Sequence, residues 1–416
     1  MRFIGVDLAW SPRNPSGGAI LSDTGELLTS TGLLGDDDAI LEFITTAIPS
    51  NAQGLVAIDA PLAVPNESGG RPCDRQVAAI FGRFEAAPYP ANRQNLATYG
   101  GLRAETIRER LQLLGFRHDP SIIMQGRTRQ VIEVFPHPAT VSLFHLDRTL
   151  KYKARSKRDY TLRWHELTRL RDNLLSLANA IPPLRLPSSM ATMRIEGLRG
   201  KSLKEAEDLL DALVCAYSAL YAWYHGPQGY GVYGNADEGH ILVPMTPEMW
   251  TRIKGQRLLL LNRDGTLGRS PGRHSSDHPD EVELLPGVAA KVHMYAALGW
   301  RIVIVTNQGG IVSAKLPEAQ ADKIQQSVLD LLPVSVDASY LCSDYSDGTM
   351  MCHSSPCPNQ KPGRGVILEA LARFGAQAED CLCVSNQESD RLAAAAAHVP
   401  FQWAWEFFGW ARALPS

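Results

Sequence analysis

Leu258–Leu267 reads LLLLNRDGTL, in which four leucines are followed by a polar turn containing Asn262, Asp264 and Gly265. An apolar run that ends in such a turn is typical of a buried parallel strand with chemistry at its carboxyl end. Position 262 holds a carboxamide, which is a very poor nucleophile and carries no charge for a metal ion. If this turn cannot catalyse, a catalytic activity has to be sought in the other half of the chain.

Strands and helices alternate on the carboxyl side of this stretch. We predict further strands over 300–306, 338–342 and 381–385, and helices over 287–298, 314–331, 366–374 and 391–398. This alternation predicts a doubly wound parallel sheet with its site at the carboxyl ends of the strands. A glycine- and proline-rich segment precedes this domain, which we assign to residues 256–416.

The order of these motifs resembles the HAD phosphatase superfamily, in particular its histidinol-phosphate, heptose-bisphosphate and polynucleotide 3′-phosphatase branch. The first motif of that superfamily is Asp-x-Asp-Gly-Thr, in which the first aspartate attacks the phosphate. Here Asn262 takes the position of the nucleophile and Asp264 that of the general acid/base. The resemblance further implies that Thr306, with Asn307 beside it, and Lys361 bind phosphate.

A second acidic position of the superfamily is also changed. Asn386 stands where the family has a magnesium ligand, whereas Asp390 keeps the neighbouring acid. Losing two carboxylates from one site removes negative charge that holds the cation. We therefore expect a pseudophosphatase domain that binds a phosphorylated end or a partner, or serves only packing. Residual phosphomonoesterase activity is the remaining alternative.

Four possible zinc ligands surround the segment before Lys361. The related phosphatases place a zinc loop there, usually Cys-x-His followed by Cys-x-Cys. In this chain Cys352 and His353 are adjacent, and Cys342 and Cys357 lie on either side. Adjacent ligands rarely share one tetrahedral ion, so free thiols are favoured over Zn²⁺.

Composition limits the class of protein. The chain has 416 residues, 44% of them hydrophobic, which suits two domains with well-formed cores. Its net charge is −3. It has no run of eighteen apolar residues, so we expect no membrane span. Seven scattered cysteines favour a reducing compartment, and we expect a cytoplasmic location.

The first half opens with a predicted three-stranded meander over 2–8, 18–21 and 26–33. The first of these strands ends at Asp7. A later strand over 54–58 delivers Asp59, immediately before Pro61. We expect the two acids to lie side by side at the mouth of a sheet.

Residues 66–129 are predicted to be rich in loops, and they contain ten arginines and no lysine. Arg71 and Arg75 belong to this set. The planar guanidinium group suits phosphate oxygens, so the segment predicts a nucleic-acid or nucleotide surface. The alternative is an ordinary solvated surface with salt bridges. A second basic cluster follows over 148–158.

A predicted helix over 203–225 carries Asp208 and Asp211, which are three residues apart and therefore share one face. Burying two aspartates beside apolar residues is costly unless a metal or cations compensate. Alternatively, both acids are exposed near the start of the helix, where the helix dipole favours them.

The segments GVDLAW, IDAPLAVPN, GGRPCDR, EVFPHPA and DLLDALVCAYSA resemble, in this order, a family of RNase H-like nucleases known as domain of unknown function 429. The resemblance covers residues 1–245. It implies an RNase H-like fold: a mixed sheet that begins with a meander and is flanked by helices. It also implies that Asp7, Asp59, Asp208 and Asp211 hold two divalent ions, Mg²⁺ or Mn²⁺.

These observations lead to a functional hypothesis. The N-terminal acids of a two-domain α/β protein would hydrolyse phosphodiesters with divalent ions, and nucleic acid or a phosphorylated nucleotide would be the partner. A non-catalytic phosphate- or nucleotide-binding regulator is the alternative.

Overall fold

A computed structural model describes residues 1–269, 279–307, 318–342 and 363–411 of the chain. It separates into two compact units, Met1–Thr251 and Arg252–Ser416. Both units are α/β, which confirms the predicted fold class of two α/β domains. In the described ranges, no helix is both long and apolar enough to cross a membrane.

The N-terminal unit is built on a six-stranded mixed sheet with the order β3-β2-β1-β4-β6-β5. Strands β1–β3 form the predicted antiparallel meander, and β4 and β6 continue the sheet in parallel. The strands are β1 (Arg2–Asp7), β2 (Ser16–Ser22), β3 (Leu27–Leu34), β4 (Gly54–Asp59), β5 (Arg117–His118) and β6 (Arg129–Glu133).

Nine helices accompany this sheet in the described residues up to position 253. They are α1 (Asp37–Ala47), α2 (Pro72–Phe81), α3 (Arg93–Ala97), α4 (Arg103–Leu113), α5 (Pro136–Leu143), α6 (Tyr160–Ser176), α7 (Ser188–Ala191), α8 (Gly200–His225) and α9 (Pro247–Ile253). A separate hairpin pairs β7 (Tyr230–Asn235) with β8 (Gly239–Pro244).

The sheet is covered on both faces because its side chains alternate in direction. Phe3 of β1 belongs to a core that includes much of α8. Ile4 and Val6 belong to a second core with residues of α1 and α4. A strand with both faces buried has to be apolar along its length, as β1 is up to Asp7.

The prediction that residues 66–129 are rich in loops is wrong in part, because α2, α3 and α4 lie there. Helix α2 begins at Pro72, and the side chain of Asp74 accepts a hydrogen bond from the Arg71 backbone N–H. Proline in the first turn and a capping carboxylate are helix-start signals that outweigh the glycines nearby.

The C-terminal unit contains a five-stranded parallel sheet with the order β13-β12-β9-β14-β15. Its strands are β9 (Leu258–Leu261), β12 (Arg301–Asn307), β13 (Ala338–Cys342), β14 (Leu382–Ser385) and β15 (Phe401–Trp403), and a small hairpin pairs β10 (Gly268–Arg269) with β11 (Glu283–Leu284). The helices are α10 (Val288–Ala297), α11 (Glu318–Leu331), α12 (Gly365–Phe374), α13 (Glu388–Ala396) and α14 (Ala404–Phe408). The leucines of β9 are buried at the centre of this sheet, as their unbroken apolar run predicts.

Candidate active site

Two parallel strands of the N-terminal sheet carry acids at their carboxyl ends. Asp7 is the last residue of β1, Asp59 is the last residue of β4, and the two are partners in the strand register. Partners on adjacent strands lie about 4.8 Å apart and point to the same face. The sheet therefore places the two carboxyl groups next to each other, as the sequence predicts.

Two glycines allow α8 to bring a second pair of acids to this place. A Cβ atom on Gly5 of β1 would lie 2.0 Å from the backbone oxygen of Ala212, and one on Gly17 of β2 would lie 2.0 Å from that of Asp208. Such distances exclude any larger residue without movement of the backbone. The helix therefore lies directly on the sheet at the end where β1 carries Asp7.

The two helical acids are buried, with Asp208 2% and Asp211 0% exposed. This excludes the alternative that they lie on an exposed helix start. Asp208 is hydrogen-bonded to Asp7, and the charges of Asp7 and Asp211 act on Asp59. The structure therefore brings together all four acids, which we call the acid cluster: Asp7, Asp59, Asp208 and Asp211.

Three side chains that the sequence did not single out complete the cluster. The ammonium group of Lys153 lies 3.4 Å from Asp7 Oδ2 and also contacts Asp211 Oδ2. Tyr152 Oη donates a hydrogen bond of 2.6 Å to Asp211 Oδ1. Lys204 contacts Asp208 one helical turn away. The spacing of Lys204 and Asp208, four residues apart on one helix, was a signal for this pair, whereas Lys153 was hidden within a basic run.

The pKa values show that these cations compensate only part of the charge. Burial raises the pKa of Asp7, but the lysines outweigh this effect and hold it below its ordinary value. Burial and the charge of Asp7 raise the pKa of Asp59 well above its ordinary value and that of Asp208 to about 8. The pKa of Asp211 is also raised by burial, against the opposing effect of Lys153. With its pKa raised to about 8, chiefly by burial, Asp208 keeps its proton near neutral pH.

The chemistry of the cluster suits a hard divalent ion, since all four groups are carboxylates. Across the described ranges, however, no group of three or more His, Cys, Asp or Glu side chains is arranged to hold a metal ion. The ammonium group of Lys153 contacts both Asp7 and Asp211 and provides positive charge at this place. The donors are of a type that fits the ion, and in the present arrangement Lys153 pairs with two of them.

The prediction that Arg71 binds phosphate is wrong. Arg71 is 2% exposed, and its guanidinium group donates to the carboxylates of Asp74 and Glu133 and to the carbonyl of Ala63. All five N–H donors of an arginine are engaged in this way. Glu133 also accepts from the Leu62 backbone N–H at 2.8 Å. Arg71 therefore fixes the loop after β4 and leaves no donor for a ligand.

Most of the other arginines in this segment also have partners within the N-terminal unit, which favours the alternative of salt bridges. Arg75 is exposed and contacts the carbonyl of Gly70, so its predicted phosphate-binding role remains untested. Salt bridges join Arg93 to Glu105, Arg103 to Asp37, Arg108 to Glu109 and Arg110 to Asp38.

His137, the histidine of the EVFPHPA segment, packs beside Tyr152, with ring centroids 5.9 Å apart. Its Nδ1 lies 3.0 Å from Thr149 Oγ1. Burial, together with the charge of Lys153 and nearby arginines, lowers the pKa of His137 to about 3. The imidazole is therefore neutral at physiological pH and has a structural partner.

In the C-terminal unit, the predicted turn follows β9. Asn262 Nδ2 donates to the backbone carbonyl of Asp264 at 3.2 Å, and Asn262 Oδ1 accepts from Thr306 Oγ1 at 3.2 Å. Thr306 is therefore next to the position of the missing nucleophile, as the sequence predicts. Arg263 binds both carboxylate oxygens of Asp264, at 3.0 and 2.9 Å.

Asn386, the second altered position, contacts the same turn. Thr266 Oγ1 donates to Asn386 Oδ1 at 3.3 Å and accepts from the Asn386 backbone N–H at 3.2 Å. Asp390 is 3% exposed and accepts a 2.5 Å hydrogen bond from Ser385 Oγ. Asn386 is thus hydrogen-bonded to Thr266 in the turn after β9, and Asp390 contacts the end of β14.

Several predicted residues lie outside the described part of the C-terminal unit. Lys361, Cys352, His353 and Cys357 belong to residues whose structure is not described, as do the side chains of Asn307 and Cys342. Their predicted roles in binding phosphate or zinc remain predictions.

Comparison with known proteins finds different relatives for the two halves of the chain. The family described as Protein of unknown function (DUF429) matches residues 5–237. The D-glycero-beta-D-manno-heptose-1,7-bisphosphate 7-phosphatase of Rhodopseudomonas palustris is 27% identical over 143 residues, which are 34% of this chain and 78% of that protein. The Escherichia coli enzyme of the same name is 30% identical over 146 residues, 34% of this chain and 74% of the enzyme.

Two solved structures are also similar to part of this chain. One, described as a HAD-like phosphatase of Mesorhizobium loti, is 26% identical, with a TM-score of 0.31, and covers 35% of this chain and 70% of its own. The other, D,D-heptose 1,7-bisphosphate phosphatase from B. bronchiseptica complexed with magnesium and phosphate, is 24% identical, with a TM-score of 0.29, and covers 35% and 77%.

The fold and the site together define a two-unit α/β protein with an acid cluster in one unit and a HAD-like parallel sheet in the other. The chain belongs to the DUF429 family, and its C-terminal unit belongs to the HAD-family phosphatases. Both resemblances that the sequence motifs indicated are thereby confirmed.

Proposed function

We propose that the N-terminal unit is an RNase H-like nuclease that hydrolyses phosphodiesters at the acid cluster. The observation that carries this proposal is the convergence of Asp7, Asp59, Asp208 and Asp211 from two strand ends and one helix. Four carboxylates at one place repel one another and favour cations. The resemblance to RNase H-like nucleases supplies the substrate class, and an anionic phosphodiester reaches such a site only when cations are present.

The four acids would hold Mg²⁺ or Mn²⁺ in place of the ammonium group of Lys153. Such an ion, when bound, lowers the pKa of a water molecule and stabilises the leaving oxygen. The residues of the chain orient the donors: Tyr152 fixes Asp211 through its 2.6 Å hydrogen bond, and Gly5 and Gly17 fix α8 against the sheet. Lys153 would then be free to pair with the phosphate of the substrate.

The C-terminal unit is proposed to be a pseudophosphatase that binds a phosphorylated end. Asn262 replaces the nucleophile, and its amide is bonded to Asp264 and Thr306 instead of being presented as an attacking group. Asn386 replaces a second acid. Two amides cannot supply the negative charge that holds a magnesium ion. A cytoplasmic location is part of the proposal, since buried thiols such as Cys73 and Cys215 suit a reducing compartment.

A cleavage assay tests the nuclease. Full-length protein is incubated with single- and double-stranded DNA and RNA in Mg²⁺ or Mn²⁺. We expect cleavage by the wild type, and none in EDTA or by Asp7→Ala. Asp38→Asn is a matched control, because the side chain of Asp38 is 81% exposed and pairs only with a partly exposed arginine in α4. Absence of cleavage by the wild type, or cleavage that survives Asp7→Ala, refutes the nuclease.

A phosphomonoester assay tests the second unit. We expect no turnover by the wild type and partial turnover by the double variant Asn262→Asp/Asn386→Asp, which restores both carboxylates. Turnover by the wild type would show that the unit is a working phosphatase.

A further inference from the structure

A groove with three exposed aromatic rings opens beside the acid cluster. It has a volume of about 690 Å³ and is lined by Trp10, Tyr89 and Tyr99, together with Asn14 and Asn95. The three rings are 37%, 64% and 51% exposed, respectively. Large aromatic side chains are usually covered in a folded protein, so three in one groove indicate a binding surface.

The rings are arranged to receive flat groups. Trp10 and Tyr99 meet edge to face, with ring centroids 5.0 Å apart and planes at 88°. Both rings line the groove. The third ring, Tyr89, has the guanidinium carbon of Arg155 5.0 Å from its centroid. Arginine stacked on tyrosine provides a second flat surface that is also positively charged.

Chain connectivity links the groove to the acid cluster. Trp10 is three residues beyond Asp7, so their Cα atoms are at most about 11 Å apart. Trp10 also lines a small cavity with Ala60 and Pro61, the two residues that follow Asp59. The groove therefore begins where the two strands that carry acids end.

We propose that this groove binds the unpaired bases of a single-stranded nucleic acid whose backbone continues to the acid cluster. The inference rests on the proposed nuclease function and specifies its substrate. Bases in a duplex are covered on both faces by their neighbours, so only unpaired bases can stack on Trp10, Tyr89 and Tyr99. Arg155 supplies the charge complementary to the phosphates, and the amides of Asn14 and Asn95 can bond to base edges. Stacking of this kind tolerates any base.

Binding is measured by fluorescence anisotropy of labelled oligonucleotides with the full-length protein in EDTA, so that cleavage does not interfere. We expect tighter binding of single strands than of duplexes of the same sequence. Trp10→Ala and Tyr89→Leu should each weaken the binding roughly 5- to 100-fold, because each removes one stacking ring. Trp10→Phe keeps a ring and should retain most of the affinity.

Leu113→Ala is the matched control, since this side chain is 88% exposed on α4 and does not line the groove. Tyr89 is so exposed that Tyr89→Leu should leave the fold intact. Unchanged affinity in both ring variants, or equal affinity for duplex and single strand, overturns the inference. Binding that depends on the rings but without cleavage in Mn²⁺ supports the groove and overturns the nuclease. Cleavage of duplex that is unaffected by the ring variants supports the nuclease and overturns the groove.

Discussion

Replacing Asp208 with asparagine should stabilise the protein while abolishing its proposed activity. Burial and the charge of Asp7 raise the pKa of Asp208 to about 8, against an ordinary value of 3.8. A carboxyl whose pKa is higher in the folded state contributes stability that is complete below about pH 4 and is lost as the pH rises through about 8. In EDTA, the free energy of unfolding of the wild type should therefore fall between pH 5 and pH 8.

The size of the effect follows from the same values. A pH of 7 is about three units above the ordinary pKa of an aspartate in the unfolded chain. Each unit corresponds to about 1.36 kcal/mol, so keeping Asp208 protonated costs about 4 kcal/mol. Asparagine avoids this cost, and its amide can still donate to Asp7. Lys204, 53% exposed, loses a pair worth less than about 1 kcal/mol. We expect a gain of about 2–4 kcal/mol at pH 7.

The assay is urea unfolding in EDTA at pH 5, 7 and 8, with hydrogen exchange on peptides of α8 to assign the transition to the N-terminal unit. The stabilisation by Asp208→Asn should grow with pH. Asp38→Asn, which changes an exposed charge outside the cluster, should show no such trend. An Asp208→Asn protein that is no more stable than the wild type at pH 8 would show that burial and the charge of Asp7 do not keep Asp208 protonated.

Three further substitutions probe the supports of the site. Lys153→Met should destabilise the metal-free protein by about 3 kcal/mol, because it leaves Asp7 and Asp211 without their cation, and Mn²⁺ should reduce this loss in thermal unfolding. Arg71→Ala should cost roughly 3–5 kcal/mol in urea unfolding, since it leaves buried carboxylates unpaired. Gly5→Ala should lower the free energy of unfolding by about 1–3 kcal/mol or more and also lower cleavage, because its Cβ collides with α8. Gly82→Ala, which has open space around it, should change neither the stability nor the cleavage.

Local sequence patterns were sufficient for the parts of the fold that repeat with a fixed period. The first strand of the meander, which ends at Asp7, and the strand ending at Asp59 follow from apolar runs that stop at a polar residue. Helix α8 follows from apolar residues at helical spacing. These elements also fix the four acids, since strand ends and helix faces determine where their side chains lie.

The partners of the acids could not be predicted, because they come from distant positions in the chain. Lys153 lies 146 residues from Asp7, in a loop without periodicity, and no local rule distinguishes it from the lysines and arginines around it. Arg71 was assigned to phosphate for the same reason. Its true partner Glu133 is 62 residues away, and burial of that pair is a property of the tertiary structure.

The central claim is that the acid cluster holds a divalent ion for phosphodiester hydrolysis. Anomalous diffraction from crystals of the full-length protein soaked in MnCl₂ tests it most directly. We expect a manganese peak among Asp7, Asp59, Asp208 and Asp211, with the ammonium group of Lys153 moved away from Asp7. Crystals without a peak there, in which Lys153 still contacts Asp7 and Asp211, would contradict it.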